Sequence, residues 1–360
     1  TIKVMGLPFE VGVWQSTFAA FIGAVGGTLL LVGYYLKHKK RLDELVSQSN
    51  DQLEITNKTL LKEVLYQALP FIFIACAVSM FNLVDQFTFP VIMQQAGAYS
   101  MTQINALYAL FAGNANKLIM IVVALSTAMA TTAIPLLSEA VARRDSALMK
   151  KQLLESLELL FFVMLPAVFG MAAVSRPLYL VFYGYEATGI FVLAISAYVA
   201  LAMGLFNVLG SLLQGIYENK QAIKYTTLGL GVKLVLQYPL TLWLGVFGPL
   251  LATGIAMSWA SYLMLRFLYL KYNLPTGQLQ VNVNKMFIVA LLMFGVTLLF
   301  VSGYYMVFPG NSRLSALVGL SLAAGIGGYL YLLACFKLGL LQRILGIKVI
   351  SKLQKIFRWK

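Results

Sequence analysis

The chain has 360 residues, of which 60% are hydrophobic and 11% charged, and its formal net charge is +14. Its mean hydropathy is +0.82, whereas a water-soluble domain is about 45–50% apolar and about 25% charged. These values exclude an ordinary soluble domain and imply an all-α polytopic membrane protein, because apolar stretches of about 20 residues recur, each able to cross roughly 30 Å of hydrocarbon as a helix.

Nine candidate spans follow in chain order, at about 12–36, 64–91, 105–137, 154–175, 188–216, 221–243, 248–270, 286–307 and 314–336. The first runs directly into the basic segment "KHKKRLDELVSQSNDQLEITNKTLLK", which suits a membrane helix better than a cleaved signal. "ARRDSALMKK", "ENKQAIK", "RFLYLKYN" and the tail from Lys337 are also basic. The alternate loops "QQAGAYSMTQ" and "LGVFGP" contain no Lys or Arg, and "SRPLYLVFYGYE" and "FPGNSRLSA" contain one each, Arg176 and Arg313. Basic loops mark the cytoplasmic side, so residues 37–62, 138–152 and 337–360 are expected inside, with 94–104, 176–187 and the N-terminus outside. The positive charge is thereby accounted for without nucleic-acid binding.

In the tail, Leu341, Leu345, Val349, Leu353 and Phe357 keep helical spacing, and Arg343, Lys348, Lys352, Lys355 and Arg358 fall largely elsewhere. This pattern predicts an interfacial helix held by anionic membrane lipid. The glycine-rich "GAVGG" and "AAGIGG" lie inside spans and read as helix-packing or kinking positions rather than phosphate cradles.

The chemical inventory is that of a binding protein rather than an enzyme. His38 is the only histidine and sits in a basic run, and no Asp or Glu follows Glu218. Neither a nucleophile motif nor metal-ligand spacing occurs, so no cofactor or metal is expected. Cys76 and Cys335 read as small core residues. Glu139, Glu155, Glu158 and Glu218 fall at span ends, where solvation explains them. Ionisable and amide groups inside spans carry more information, because they are costly in lipid and face a cavity or a partner. Asp85 lies in "SMFNLVDQF" with Asn82 and Gln86 nearby. Lys117 follows Asn116 in "GNANK", and Lys233 precedes Gln237 by one turn in "GLGVKLVLQYP". For Asp85 and Lys117 a structural ion pair or snorkelling competes with a functional role. Lys233 is about 15–18 Å from the ends of its span at about 1.5 Å per residue, too deep to snorkel easily. It is therefore expected in a cavity, shared with Lys117.

The order of these features resembles a known family. "ALPFIFIACAVSMFNLVDQFTFP", "INALYALFAGNANKLIMIVVALSTAMATTAIPLLSEAVAR" and "MLPAVFGMAAVSRPLYLVFYG" resemble the seventh to ninth helices of the multidrug/oligosaccharidyl-lipid/polysaccharide (MOP) superfamily. "GSLLQGIYENKQAIKYTTLGLGVKLVLQYPLTLWLGVFGPLLATGIA" resembles the tenth to twelfth helices of its polysaccharide-exporter branch, and the MurJ-like lipid II flippases of Gram-positive bacteria are the nearest group.

The resemblance implies fourteen helices in two six-helix lobes and a final pair. On that scheme this chain is a C-terminal fragment. Residues 1–62 would hold the last helix of the first lobe and a cytoplasmic linker, 63–272 the six-helix second lobe, 273–336 the final pair and 337–360 the tail. It also implies a monomer in the bacterial cytoplasmic membrane that flips a polyprenyl-pyrophosphate-linked saccharide by alternating access. A capsule or exopolysaccharide flippase and a cation-coupled drug exporter are the alternatives. Lys117, Lys233, Asn116, Asp85, Asn82 and Gln237 are the candidate headgroup-binding residues. A family arginine falls at the register of Asn116, beside Lys117, and a lysine is a workable point-charge partner for phosphate. The last two helices would form the groove for the lipid tail.

Overall fold

The computed structural model describes residues 9–48, 56–97, 99–308, 310 and 312–344, and among these every regular element is helical. The tail pattern from Leu345 onward lies outside the described residues. The chain divides into two compact units, Thr1–Leu65 and Tyr66–Lys360. The first carries α1 (Phe9–Ser47), and α2 (Asn57–Ala75) crosses the division. Seven helices are long and apolar enough to cross a membrane, or eight if α2 and α3 (Ala77–Gln95) count as one bent span interrupted at Cys76. This agrees roughly with the nine expected; the stretch 12–36 lies within α1.

In the second unit, α8 (Ala187–Gly215) is the central helix, packed by α5 (Asn116–Ala142), α6 (Ser146–Ala173) and α10 (Phe247–Tyr272). Its small residues let the neighbours close in: a Cβ on Gly204 would lie 2.4 Å from Met164 Cε and 3.2 Å from Ser126 Cβ. Without a hydrophobic drive between helices in lipid, such close van der Waals contact is what holds the bundle. α9 (Asn219–Leu244) pairs with α10 as a hairpin and also packs on α3. α11 (Gly277–Val307) packs on α6 and on α12 (Arg313–Lys337).

Two segments depart from the sequence reading. The loop expected at 176–187 contains a nine-residue helix, α7 (Ser175–Tyr183), with Pro177, Tyr179 and Leu180 buried. Its apolar face was concealed by its shortness, and Gly184, at φ 90°, ends it. The third span begins earlier than expected, at α4 (Met101–Tyr108). There Ser100 and Gln103 form a reciprocal capping box. It then widens into a π-helix over Ala109–Ala115 before α5 resumes.

Candidate functional site

α9 is polar inside and apolar outside. Ala222, Thr226, Gly229, Lys233, Gln237 and Thr241 recur every three or four residues along its buried face. Leu234, Val235, Tyr238 and Trp243 are exposed, as befits side chains turned to lipid. Gly229 makes this possible. A Cβ there would meet Ala260 Cβ at 2.9 Å and the Ala256 carbonyl at 3.2 Å, so α9 and α10 touch almost backbone to backbone.

Lys233 is completely buried. Its ammonium donates to Asp85 Oδ1 at 2.6 Å, Thr253 Oγ1 at 2.7 Å and the Pro249 carbonyl at 2.9 Å. An ammonium has three N–H donors, so this cage of oxygens uses all of them. Gln237 Nε2 donates to the same Asp85 oxygen at 2.9 Å and to Thr88 Oγ1 at 3.0 Å. Three helices, α3, α9 and α10, are thus pinned at one polar point. The partner of Asp85 is Lys233 and not Lys117, which corrects one of the two expectations for that carboxylate.

Beside the pair lies a cavity of about 110 Å³, lined by Asn82, Asp85, Gln86 and Asn116 among its polar groups, with Tyr108 and Phe111 on the π-helical side. Three candidates, Asn82, Asp85 and Asn116, line this space; Lys233 and Gln237 are joined to it through Asp85, and Thr253, also in its wall, bonds Lys233. Lys117, the neighbour of Asn116, is exposed and forms no part of the wall. The expectation of one cavity shared by Lys117 and Lys233 is not met. Adjacent residues on a helix diverge by about 100°, so Asn116 and Lys117 face different ways.

The π-helix was not legible in the sequence, although such turns often mark functional positions. Here it supplies Phe111 and Ala112 to the cavity, and Asn114 Nδ2 donates to Tyr179 Oη at 3.0 Å, tying it to α7. Tyr179 is buried, and its burial raises the phenol's pKa above the ordinary value, with the Asn114 hydrogen bond opposing the shift.

Other charges need correction. Glu158 was expected in solvent but is buried, accepting from Asn282 Nδ2 at 2.7 Å and pairing with Arg343 Nε at 3.3 Å. Glu218 pairs with Lys271 and accepts from Tyr272 Oη at 2.7 Å. Glu158 lies near the middle of α6, where Asn282 and Arg343 stand in for water, and Glu218 immediately precedes α9 and is partly buried. Glu139 and Glu155 are exposed and form only i,i+4 pairs with Arg143 and Lys151. Cys335 is in the core, but Cys76, at the break between α2 and α3, is exposed. His38 is exposed. Among the described residues no cluster of potential metal ligands occurs.

Spans of this length, with an inside-out helix around a buried charge pair, define a polytopic α-helical membrane protein. Residues 12–319 match the family model described as Lipid II flippase MurJ, and the chain belongs to that family. It is 30% identical over 353 residues to the Lipid II flippase MurJ of Bacillus subtilis (strain 168), covering 96% of this chain and 64% of the relative. It is 25% identical to the uncharacterized membrane protein YabM of the same organism, covering 94% of this chain and 63% of that one. The chain therefore spans a little under two thirds of the length of these relatives. Among solved structures, Lipid II flippase MurJ in an inward closed conformation shares the fold, with a TM-score of 0.53, 18% identity, and coverage of 74% of this chain and 52% of that one.

Proposed function

We propose that this chain works in moving a lipid II-type cell-wall precursor, a polyprenyl-pyrophosphate-linked saccharide, across the bacterial cytoplasmic membrane by alternating access. It acts as a monomeric transporter rather than an enzyme, and its C-terminus is cytoplasmic, with the basic tail on anionic lipid. The family match over residues 12–319 is the observation that carries this reading. The structure is consistent with it in two places. Asn82, Asp85 and Asn116 offer hydrogen-bonding groups to a cavity, and Lys117 presents its cation on a different, exposed face of the same helix. An apolar groove of about 480 Å³ runs between α6, α11 and α12, past Pro166, Gly170, Met293 and Leu332. Its volume and apolar lining suit part of a polyprenyl chain.

In this reading Lys117 is a headgroup contact, and Lys233 serves indirectly, by holding Asp85 at the cavity wall. The test is replacement of the essential lipid II flippase in depleted cells by the protein containing this chain. Growth and normal cell shape support the reading. Failure there, combined with restored capsule export in a strain lacking its repeat-unit flippase, would favour the polysaccharide alternative. Lipid-independent uptake of a drug that depends on Asp85 would favour an exporter.

A further inference from the structure

The groove between α6, α11 and α12 ends at a bridge. Tyr331 of α12 donates its hydroxyl to the Phe162 carbonyl of α6 at 2.9 Å, and both residues also line the groove. One turn further along each helix stand Cys335 on α12 and Glu158 on α6. Beyond α12 the chain does not continue straight. Gly339 adopts φ 72°, a reversal that a residue with a Cβ rarely makes, and a second short helical segment begins at Leu340.

That segment packs against the Tyr331 end of the groove. Leu340 and Leu341 are buried in one cluster with Phe162, Tyr331 and Cys335. Arg343 then reaches Glu158, whose Oε1 also accepts from Asn282 of α11; Gln278 Nε2 in turn donates to Asn282 Oδ1 at 3.1 Å. A buried carboxylate needs compensation to remain charged. Asn282 and Arg343 supply it here, and the Arg343 side chain is half exposed, at 51%. The same arginine and Glu158 both line a cavity of about 330 Å³ of mixed polarity, with Thr132, Gln152, Glu155 and Ser156 among its polar residues. The segment after α12 is thus fixed by two leucines on one side and one accessible charge pair on the other.

We propose that Leu338–Ile344 is a strap that stoppers the groove at its Tyr331 end and is kept shut by the Glu158–Arg343 pair. The apolar contacts fit the strap to the groove, and the ion pair sets how often it lifts. A lifted strap opens the groove lengthwise past Phe162 and admits or releases a long apolar chain; this use rests on the lipid-chain reading of the groove given above.

Cys335 reports on the strap directly, since it is fully buried beneath it. Exposed Cys76 is first replaced by serine, and modification of Cys335 by a small apolar maleimide is timed in nanodiscs. Arg343→Gln and Glu158→Gln should each speed modification by about tenfold, the change in an opening equilibrium when a charge-assisted hydrogen bond is lost. Arg343→Lys should stay close to the parent. If Glu158→Gln fails to fold, Arg343→Gln, altered at the exposed partner, still carries the test. Unchanged Cys335 rates in folded Arg343→Gln protein would overturn the strap.

A second arm uses a polyprenyl phosphate bearing a photoreactive group at the far end of its chain. Greater cross-linking to the Pro166–Gly170 region in Arg343→Gln supports strap and groove together. Fast Cys335 modification with no cross-linking leaves the strap standing and removes the lipid reading of the groove.

Discussion

Lys233 and Gln237, one helical turn apart, donate to the same oxygen of Asp85, at 2.6 and 2.9 Å. The Lys233 amine, which also donates to Pro249 and Thr253 of α10, makes this the junction of three helices. Removing the amine alone leaves a buried carboxylate short of its counter-charge, a change that costs about 3–5 kcal/mol in buried pairs, whereas removing both charges is often close to neutral. Lys233→Met should therefore unfold at markedly lower temperature in detergent, and Asp85→Asn with Lys233→Met should recover most of the loss. Additive losses in the double variant would show that the two residues do not act as a pair.

Lys117 should behave in the opposite way. It is exposed and outside the cavity wall, so Lys117→Ala should change stability by no more than about 0.5 kcal/mol, as is usual for surface positions. Under the proposed function the same variant should lose transport, and Lys117→Arg should keep part of it. A drop in membrane abundance that accounts for the transport defect would remove the headgroup role.

Gly229→Val tests the close approach of α9 to α10. Even its Cβ would sit 2.9 Å from Ala260 Cβ, and overpacking of this kind costs about 1–3 kcal/mol. Parting the two helices also draws Lys233 away from Pro249 and Thr253. Thermal unfolding of Gly229→Val combined with Lys233→Met should show losses that are less than additive; full additivity would mean that the glycine does not serve the amine's cage.

The topology expectation has its own measurement. Tyr99, Gln103, Glu186 and Thr188 surround one pocket, so the lysine-free loop after α3 and the loop before α8 share one end of the bundle. A membrane-impermeant thiol reagent added to intact cells should modify Ser100→Cys and spare Ser146→Cys, both in a background without Cys76. The reverse labelling would invert the orientation.

Much of this was readable from residue order alone. Spans, loop polarity and the special standing of Asp85, Lys233 and Gln237 follow from the cost of polar groups in lipid, which any reader of the chain can apply. Partners were not readable in the same way. Asp85 and Lys233 are 148 positions apart, and nothing local to either names the other. Lys117 and Lys233 carry the same charge in similar apolar surroundings, yet helix rotation sends one to the surface and the other to the core. Glu158 looked like a solvated span end because its companions, Asn282 and Arg343, are 124 and 185 residues further on. The π-helix has no composition of its own, and it shows only once Asn114 meets Tyr179.

The cage around Lys233 has a bearing on how the chain is made. α9 and α10 are the two least apolar of the seven spans, and a lysine near the middle of a helix adds about 2.5–3.5 kcal/mol to the cost of insertion. Two of the three oxygens that receive the amine, those of Pro249 and Thr253, belong to α10. A hairpin leaving the ribosome can therefore satisfy two of the amine's three hydrogen bonds before it reaches its counter-charge, Asp85, which was threaded into the bilayer far earlier. Biogenesis is then expected to have two stages, entry of α9 and α10 as a couple and later capture by α3. A stop or fusion placed between them, at Gly245, should leave α9 stranded at the translocon, a failure of delivery rather than of the finished fold.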